Sequence, residues 1–290
     1  MVQKLNHKTK THLAVTGLII TTFIWGATFV LVKDALLNIP PLAFSAWRFL
    51  CASCISLIIF YRHLRGFTRL EIIGGIFTGF FLFSGYGFQN LGLTITTASK
   101  SAFITSVSII LVPVILVMIR AQRVRLKIWL SMIMATLGLF LVLDPRGDGL
   151  NIGDVFTLGC ALSFALHIIV QDRYTPKAIN TFRFFIVQGF TVAILSFGSH
   201  YIFETQPTVW SSHLLMVVVI TAMLATIFGF TVMIAAQKIL SPSRTAIIFS
   251  LEPLFAAAIA IIFAGEWLTL LGWIGGILIV VGVILAEWGE

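Results

Sequence analysis

The chain has 290 residues, 59% of them hydrophobic and 10% charged, with mean hydropathy +1.04 and a formal charge of +8. A soluble domain carries about 25% charged residues, so no stretch here is polar enough to cover one. The positive charge does not imply nucleic acid, because the cations sit in short connections between apolar runs, where they set membrane topology.

In chain order, residues 1–12 form a polar tail with Lys4, Lys8 and Lys10. With the apolar run behind them they resemble a signal peptide. That run extends about twenty residues to Val32 without a small-x-small cleavage site, so a retained first helix is expected. Apolar runs of about twenty residues match the thickness of a bilayer core. Ten spans are expected, at 13–32, 42–61, 71–91, 99–119 and 127–143, then 154–171, 182–203, 214–236, 243–264 and 270–287. The clearest breaks are Pro40-Pro41, Asp144-Pro145-Arg146-Gly147 and Gln206-Pro207. Cys51 and Cys54 lie inside an apolar run with no second ligand pair, and Cys160 is isolated in another, which favours helix packing over metal or redox chemistry. Gly75-x-x-x-Gly79 and Gly272-x-x-x-Gly276 likewise suit close helix contacts.

With the N-terminus in the cytoplasm, fourteen Lys and Arg fall in inner loops and three, Lys33, Lys100 and Arg146, in outer ones. Cytoplasmic loops carry the excess of cations, so both termini are expected inside, and the short loops suggest an inner (plasma) membrane. A shift of 144 residues overlays the two halves from about Ile76 onward without a gap. Gly85 meets Gly229, Ser106 meets Ser250, Trp129 meets Trp273 and Gly138 meets Gly282. Smaller shifts align Val32-Lys33-Asp34 with Val170-Gln171-Asp172, and Trp47-Arg48-Phe49 with Phe182-Arg183-Phe184. The expected organisation is a repeat over 13–143, a linker over 144–153 and a second repeat over 154–287. Five spans per repeat is an odd number, so the repeats would insert in opposite senses, an arrangement that puts a substrate site near the midplane. The fold class is therefore an all-α membrane protein of ten helices around a central cavity.

The segments Trp25-Gly26-Ala27-Thr28-Phe29, Trp47-Arg48-Phe49 and Thr97-Ala98-Ser99-Lys100-Ser101-Ala102-Phe103-Ile104 resemble the EamA-type family of the drug/metabolite transporter superfamily. So do Ser241-Pro242-Ser243-Arg244-Thr245-Ala246, Ser250-Leu251-Glu252-Pro253, Gly265-Glu266 and Gly272-Trp273. The resemblance covers essentially the whole chain. It implies a cavity lined mainly by the first, third, fourth, sixth, eighth and ninth helices, with the fifth and tenth peripheral. The second half departs from the first in having Ser163-Phe164 where the first has Trp25-Gly26.

Polar groups inside apolar runs are costly, and they mark a cavity, a helix contact or a functional site. Glu252 is the one acid well inside a span; it either couples transport to a proton or binds a substrate amine, or it satisfies backbone freed by Pro253. Arg48 and Arg183 stand at equivalent helix starts, where they draw anions into two vestibules, snorkel to headgroups, or sit in a fixed ion pair. Candidate cavity residues are Trp25 and Thr28 on the first helix, Tyr86, Gln89 and Asn90 on the third, and Thr105 and Ser108 on the fourth. In the second half they are Ser163, His167, Ser250, and Phe230 and Met233 at the positions equivalent to Tyr86 and Gln89. A mixture of rings, amides and hydroxyls with few charges suits a small amphipathic metabolite such as an amino acid better than a polyphosphate. The expected activity is a secondary carrier, more an exporter than an importer, with a proton as candidate coupling ion. It needs no cofactor or metal, contacts lipid and not nucleic acid, and acts as a monomer or homodimer. A membrane-embedded enzyme is the alternative, yet neither H-E-x-x-H nor G-x-S-x-G occurs, and G-x-x-x-x-G-K-[ST] is absent too.

Overall fold

A computed structural model describes residues 7–96, 101, 104–119, 124–143, 151–175, 180–264 and 269–288. Asp144 to Gly147, Gly265-Glu266 and most of the Thr97 to Phe103 segment lie outside the described residues, as do Lys4, Lys100, Arg120, Arg123 and Lys177. Among the described residues the structure is helical, with no strand. In chain order the helices are α1 (His7–Ala35), α2 (Pro41–Ile59), α3 (Arg69–Leu93), α4 (Ser108–Met118), α5 (Leu126–Leu143), α6 (Ile152–Tyr174) and α7 (Thr181–Phe203). There follow α8 (Ser212–Ile220), a π-helical stretch (Thr221–Phe228), α9 (Gly229–Ala236), α10 (Pro242–Phe249), α11 (Leu251–Ala264) and α12 (Leu270–Glu287). Six helical segments are long and apolar enough to cross a membrane: α1, α2, α3, α6, α7 and the continuous run 212–236. The α4, α5 and α12 helices are shorter and equally apolar. The chain is an integral membrane protein, and residues such as Ile72, Ile76, Phe80, Ile194, Ile277 and Ile284 project from its outer face, as lipid contact requires.

Local chemistry sets the helix starts. Pro41 occupies the first turn of α2, where a missing N–H costs nothing. Pro40 before it has no capping side chain, and the carboxylate of Glu204, at the end of α7, accepts from the Leu42 and Ala43 amides at 2.8 and 3.1 Å. Reciprocal capping boxes start α3 (Thr68 with Glu71) and α6 (Asn151 with Asp154).

Small residues fix which helices meet. A Cβ on Gly75 or Gly79 of α3 would lie 2.7 Å from Val187 or 2.6 Å from Thr191 of α7. One on Gly138 of α5 would lie 2.5 Å from the Gly275 carbonyl of α12. Accordingly α3 packs on α6 and α7, α2 on α7, and α5 on α12, while α1 packs on α9 and α11, and α4 on α6 and α10.

Two spans expected to be continuous are broken, at positions that share one place in the sequence repeat. The chain tightens at Ser106 and Val107 before α4, with the Val107 and Ile109 amides donating three residues back to Ile104 and Ser106. At Ser250 the amide and the hydroxyl both reach the Ile247 carbonyl, at 3.0 and 2.6 Å, and α10 ends. Pro253 lies just beyond and has no N–H to carry the ladder through. The third irregularity, the π stretch between α8 and α9, has no counterpart in α3.

Candidate functional site

Where these irregular segments converge, the protein holds a cavity lined by residues of both halves. The C-terminal half of α1 contributes Trp25, Thr28 and Val32, and that of α3 contributes Leu82, Tyr86, Gln89, Asn90 and Leu93. Arg48 enters from α2, and Thr105, Ser106, Ser108 and Ile109 from the break before α4. The remaining wall is Phe164, His167 and Ile168 of α6, Phe230 and Met233 of α9, Phe249 of α10 and Glu252 of α11.

The apolar wall is a run of touching rings. Trp25 packs on Phe230 and Phe249 with centroids 5.4 and 5.0 Å apart, and Tyr86 packs on Phe164 at 5.4 Å and Phe230 at 6.3 Å. Two glycines at one repeat position make room for it. The Trp25 indole lies against Gly229, and the Phe164 ring occupies the corresponding space at Gly85, so a Cβ at either glycine would collide with the ring. The indole is also oriented by its nitrogen, which donates to the Ala225 carbonyl in the π stretch at 2.7 Å. The widened turn releases that carbonyl from the ordinary ladder, a known use of π segments at functional sites.

The polar groups differ in how far the protein satisfies them. The Arg48 side chain is buried; its Nε donates to Thr226 Oγ1 at 2.7 Å and its Nη2 to the Tyr86 hydroxyl at 3.2 Å, with the guanidinium 4.7 Å from the Tyr86 ring centre. Asn90 spends its amide hydrogens on Ser45 Oγ at 2.9 Å and the Pro41 carbonyl at 3.3 Å, tying α3 to α2. His167 Nε2 and Gln188 Nε2 are 2.8 Å apart, linking α6 to α7. Gln89 and Glu252 face the cavity and have no hydrogen-bond partner among the described residues.

Toward the C-terminal ends of α6 and α9, past Ile168 of the cavity wall, a glutamine pair bridges the two helices. The Gln171 amide donates to the Gln237 carbonyl oxygen, and Gln237 Nε2 donates to the Ile168 carbonyl at 3.0 Å, with both side chains buried. In the repeat register these glutamines correspond to the Val32–Lys33 region and Leu93, and Val32 and Leu93 line the cavity at its other end.

Two sequence expectations need correction, for Arg48 and for Ser163 and Ser250, while Arg183 takes the ion-pair alternative. Arg183 does not line a vestibule: its Nε and Nη2 donate to both oxygens of Glu71 at 2.9 and 2.8 Å, and its Nη1 to the Arg65 carbonyl at 2.6 Å. Arg48 neither snorkels nor marks a vestibule; it is in the cavity wall, because the π stretch offers it a hydroxyl at depth. Ser163 and Ser250 turn away from the cavity and bond back to the Gly159 and Ile247 carbonyls at 2.7 and 2.6 Å, the usual recourse of a hydroxyl in a helix without water. Sequence reading also missed Phe164 and Phe249. The paired glycines were the available signal for Phe164, since two equivalent glycines facing inward call for two large partners.

Comparison with known proteins completes the picture. The sequence pattern of the EamA-like transporter family matches the chain twice, over residues 12–144 and 151–288. A protein of Archaeoglobus fulgidus described as an uncharacterized transporter is 31% identical over 271 residues, covering 93% of this chain and 84% of the relative. A Salmonella typhimurium protein described as a probable amino-acid metabolite efflux pump is 24% identical, covering 93% of each chain. One solved crystal structure superposes with a TM-score of 0.78 over 94% of this chain and 96% of its own, at 18% identity, which establishes likeness of fold.

Proposed function

The chain belongs to the EamA-like transporter family, and on that premise we propose that it is a secondary carrier of small amphipathic metabolites such as amino acids. Ten spans form two inverted repeats that open the cavity alternately to either side. The observation that carries this reading is the cavity itself, walled by both halves, with Ser106 at the first break and Phe249 and Glu252 on either side of the second in its lining. Broken helices meeting at the midplane are where carriers of this kind hold their cargo.

The packing supports the inverted arrangement. The contact of α1 with α9 has its exchanged counterpart in α6 with α3, that of α1 with α11 in α6 with α4, and the pairs α2–α7 and α5–α12 each join equivalent helices. Two tandem matches to one family pattern speak for the same division. With both termini in the cytoplasm of a bacterial inner membrane, Gln171 and Gln237 lie at the cytoplasmic end, so the described state is closed inside and has its cavity displaced outward. The enzyme alternative finds no support in the wall, where His167 is already engaged by Gln188.

The test is flux in proteoliposomes loaded with a mixed pool of amino acids and related metabolites. Protein-dependent release of a chemically unchanged compound is the expected result. Release of an altered product would favour an enzyme, and absence of any protein-dependent release would defeat the carrier reading.

A further inference from the structure

The two equivalent arginines of the repeat, Arg48 and Arg183, have opposite fates, and the contrast serves as an internal control. Arg183 has what a structural arginine in an apolar setting needs: both oxygens of Glu71 within 2.9 Å and a backbone carbonyl besides. Arg48 is as deeply buried, at 4% exposure. It nevertheless has only two neutral partners, Thr226 and Tyr86, and no carboxylate among the described residues. A guanidinium has five N–H donors, and two are used, leaving both hydrogens of Nη1 and one of Nη2 without an acceptor among the described residues. A buried cation without a counter-charge is costly.

The same cavity carries the complementary defect. Glu252 faces it with no hydrogen-bond donor among the described residues, although a carboxyl in an apolar span calls for one. The two groups do not pair with each other. Between them runs a ring wall: Arg48 sits over Tyr86, Tyr86 touches Phe230, Phe230 touches Trp25, Trp25 touches Phe249, and Phe249 stands three residues before Glu252 across the break at Ser250. The π stretch holds the Arg48 end of that wall, since Thr226 and Ala225 are the acceptors for Arg48 and Trp25.

We propose that the cavity reads a dipolar substrate at two poles, its anionic group on the Arg48 guanidinium and its cationic group on the Glu252 carboxylate, with its apolar body along the rings between them. This rests on the carrier reading and sharpens it by fixing the substrate's orientation and the residues that discriminate. The open end of the guanidinium is the face that takes a carboxylate in two parallel bonds. A ligand lacking either charge leaves one pole buried and unmatched, so it is rejected.

The experiment is a thermal-shift titration of the purified full-length protein with the twenty common L-amino acids, and with the amine and the carboxylic acid left when each loses its carboxylate or its amino group. At least one amino acid with an apolar side chain is expected to stabilise the protein, and its amine and acid to bind at least about tenfold more weakly. In Arg48→Gln the preference for the amino acid over the amine is expected to collapse, while the preference over the acid persists; Glu252→Gln gives the converse. Arg48→Lys keeps the charge without the fork and should fall between, and the wild-type series decides the matter should Arg48→Gln not fold. The proposal is overturned if none of the twenty binds, if an amine or acid binds as well as its parent, or if the variants leave both preferences unchanged. Flux of a compound lacking one of the charges would overturn it while leaving the carrier reading intact.

Discussion

Glu71 and Arg183 illustrate how one residue pair can be structural throughout. The Glu71 carboxylate accepts from Arg183 twice, from the Thr68 amide and from the Asn180 amide, so it caps two helices while neutralising a buried cation. Glu71→Ala leaves that cation unmatched and is expected to cost about 3–5 kcal/mol of stability, seen as a large fall in thermal unfolding temperature in detergent. Glu252 behaves differently, because no hydrogen bond or ion pair holds it among the described residues. Glu252→Gln is expected to remain folded yet to weaken uptake driven by a pH gradient in vesicles; unchanged gradient dependence in the folded variant would remove Glu252 from coupling. At Gly85 and Gly229 an added methyl meets Phe164 and Trp25 respectively. Each Gly→Ala change is expected to destabilise by about 1–3 kcal/mol and to weaken ligand-induced stabilisation, because the displaced ring is part of the cavity wall.

At the scale of elements, much was written plainly in the sequence and some was not. Hydropathy located the helices to within a few residues because lipid forces every backbone group into a helix wherever the run is long enough. It could not reveal that the runs at 99–119 and 243–264 break at Ser106 and Ser250, since a broken helix and a whole one have the same mean hydropathy. The π stretch was equally hidden: Thr221–Phe228 contains neither proline nor glycine, and its widening shows only in what Arg48 and Trp25 bind there. Serines were misread for a related reason. Ser163 lies one residue from the true wall position, Phe164, and a helix turns about 100° per residue, so a register error of one moves a side chain off the cavity. The α6–α9 closure is the element-level feature most open to test. Gln237→Leu strands the buried Gln171 amide and weakens that end by about 1–3 kcal/mol. On a cysteine-free background, Ile168→Cys in inverted vesicles is then expected to react roughly tenfold faster with a membrane-impermeant thiol reagent. An unchanged rate would show that the glutamines do not hold that end shut.

For the molecule as a whole, the repeat register that aligned Gly85 with Gly229 and Ser106 with Ser250 also aligns the two ring sockets and the two helix breaks, so the halves share one plan. They depart from it in chemistry. Tyr86 and Gln89 correspond to Phe230 and Met233, Arg48 enters the cavity where Arg183 is tied down, and the hydrogen-bonded Gln171 and Gln237 stand at the positions that Lys33 and Leu93 hold in the first half. In the proposed carrier, exchange between two inverted halves would give access to both sides, and the most direct measurement is the accessibility of one cavity position from each. With Cys51, Cys54 and Cys160 replaced, Thr105→Cys places a single thiol in the wall, to be challenged with an impermeant reagent in right-side-out and in inverted vesicles. The account requires modification from both sides, slowed from both by bound substrate. Modification confined to one side, whatever the substrate present, would contradict it.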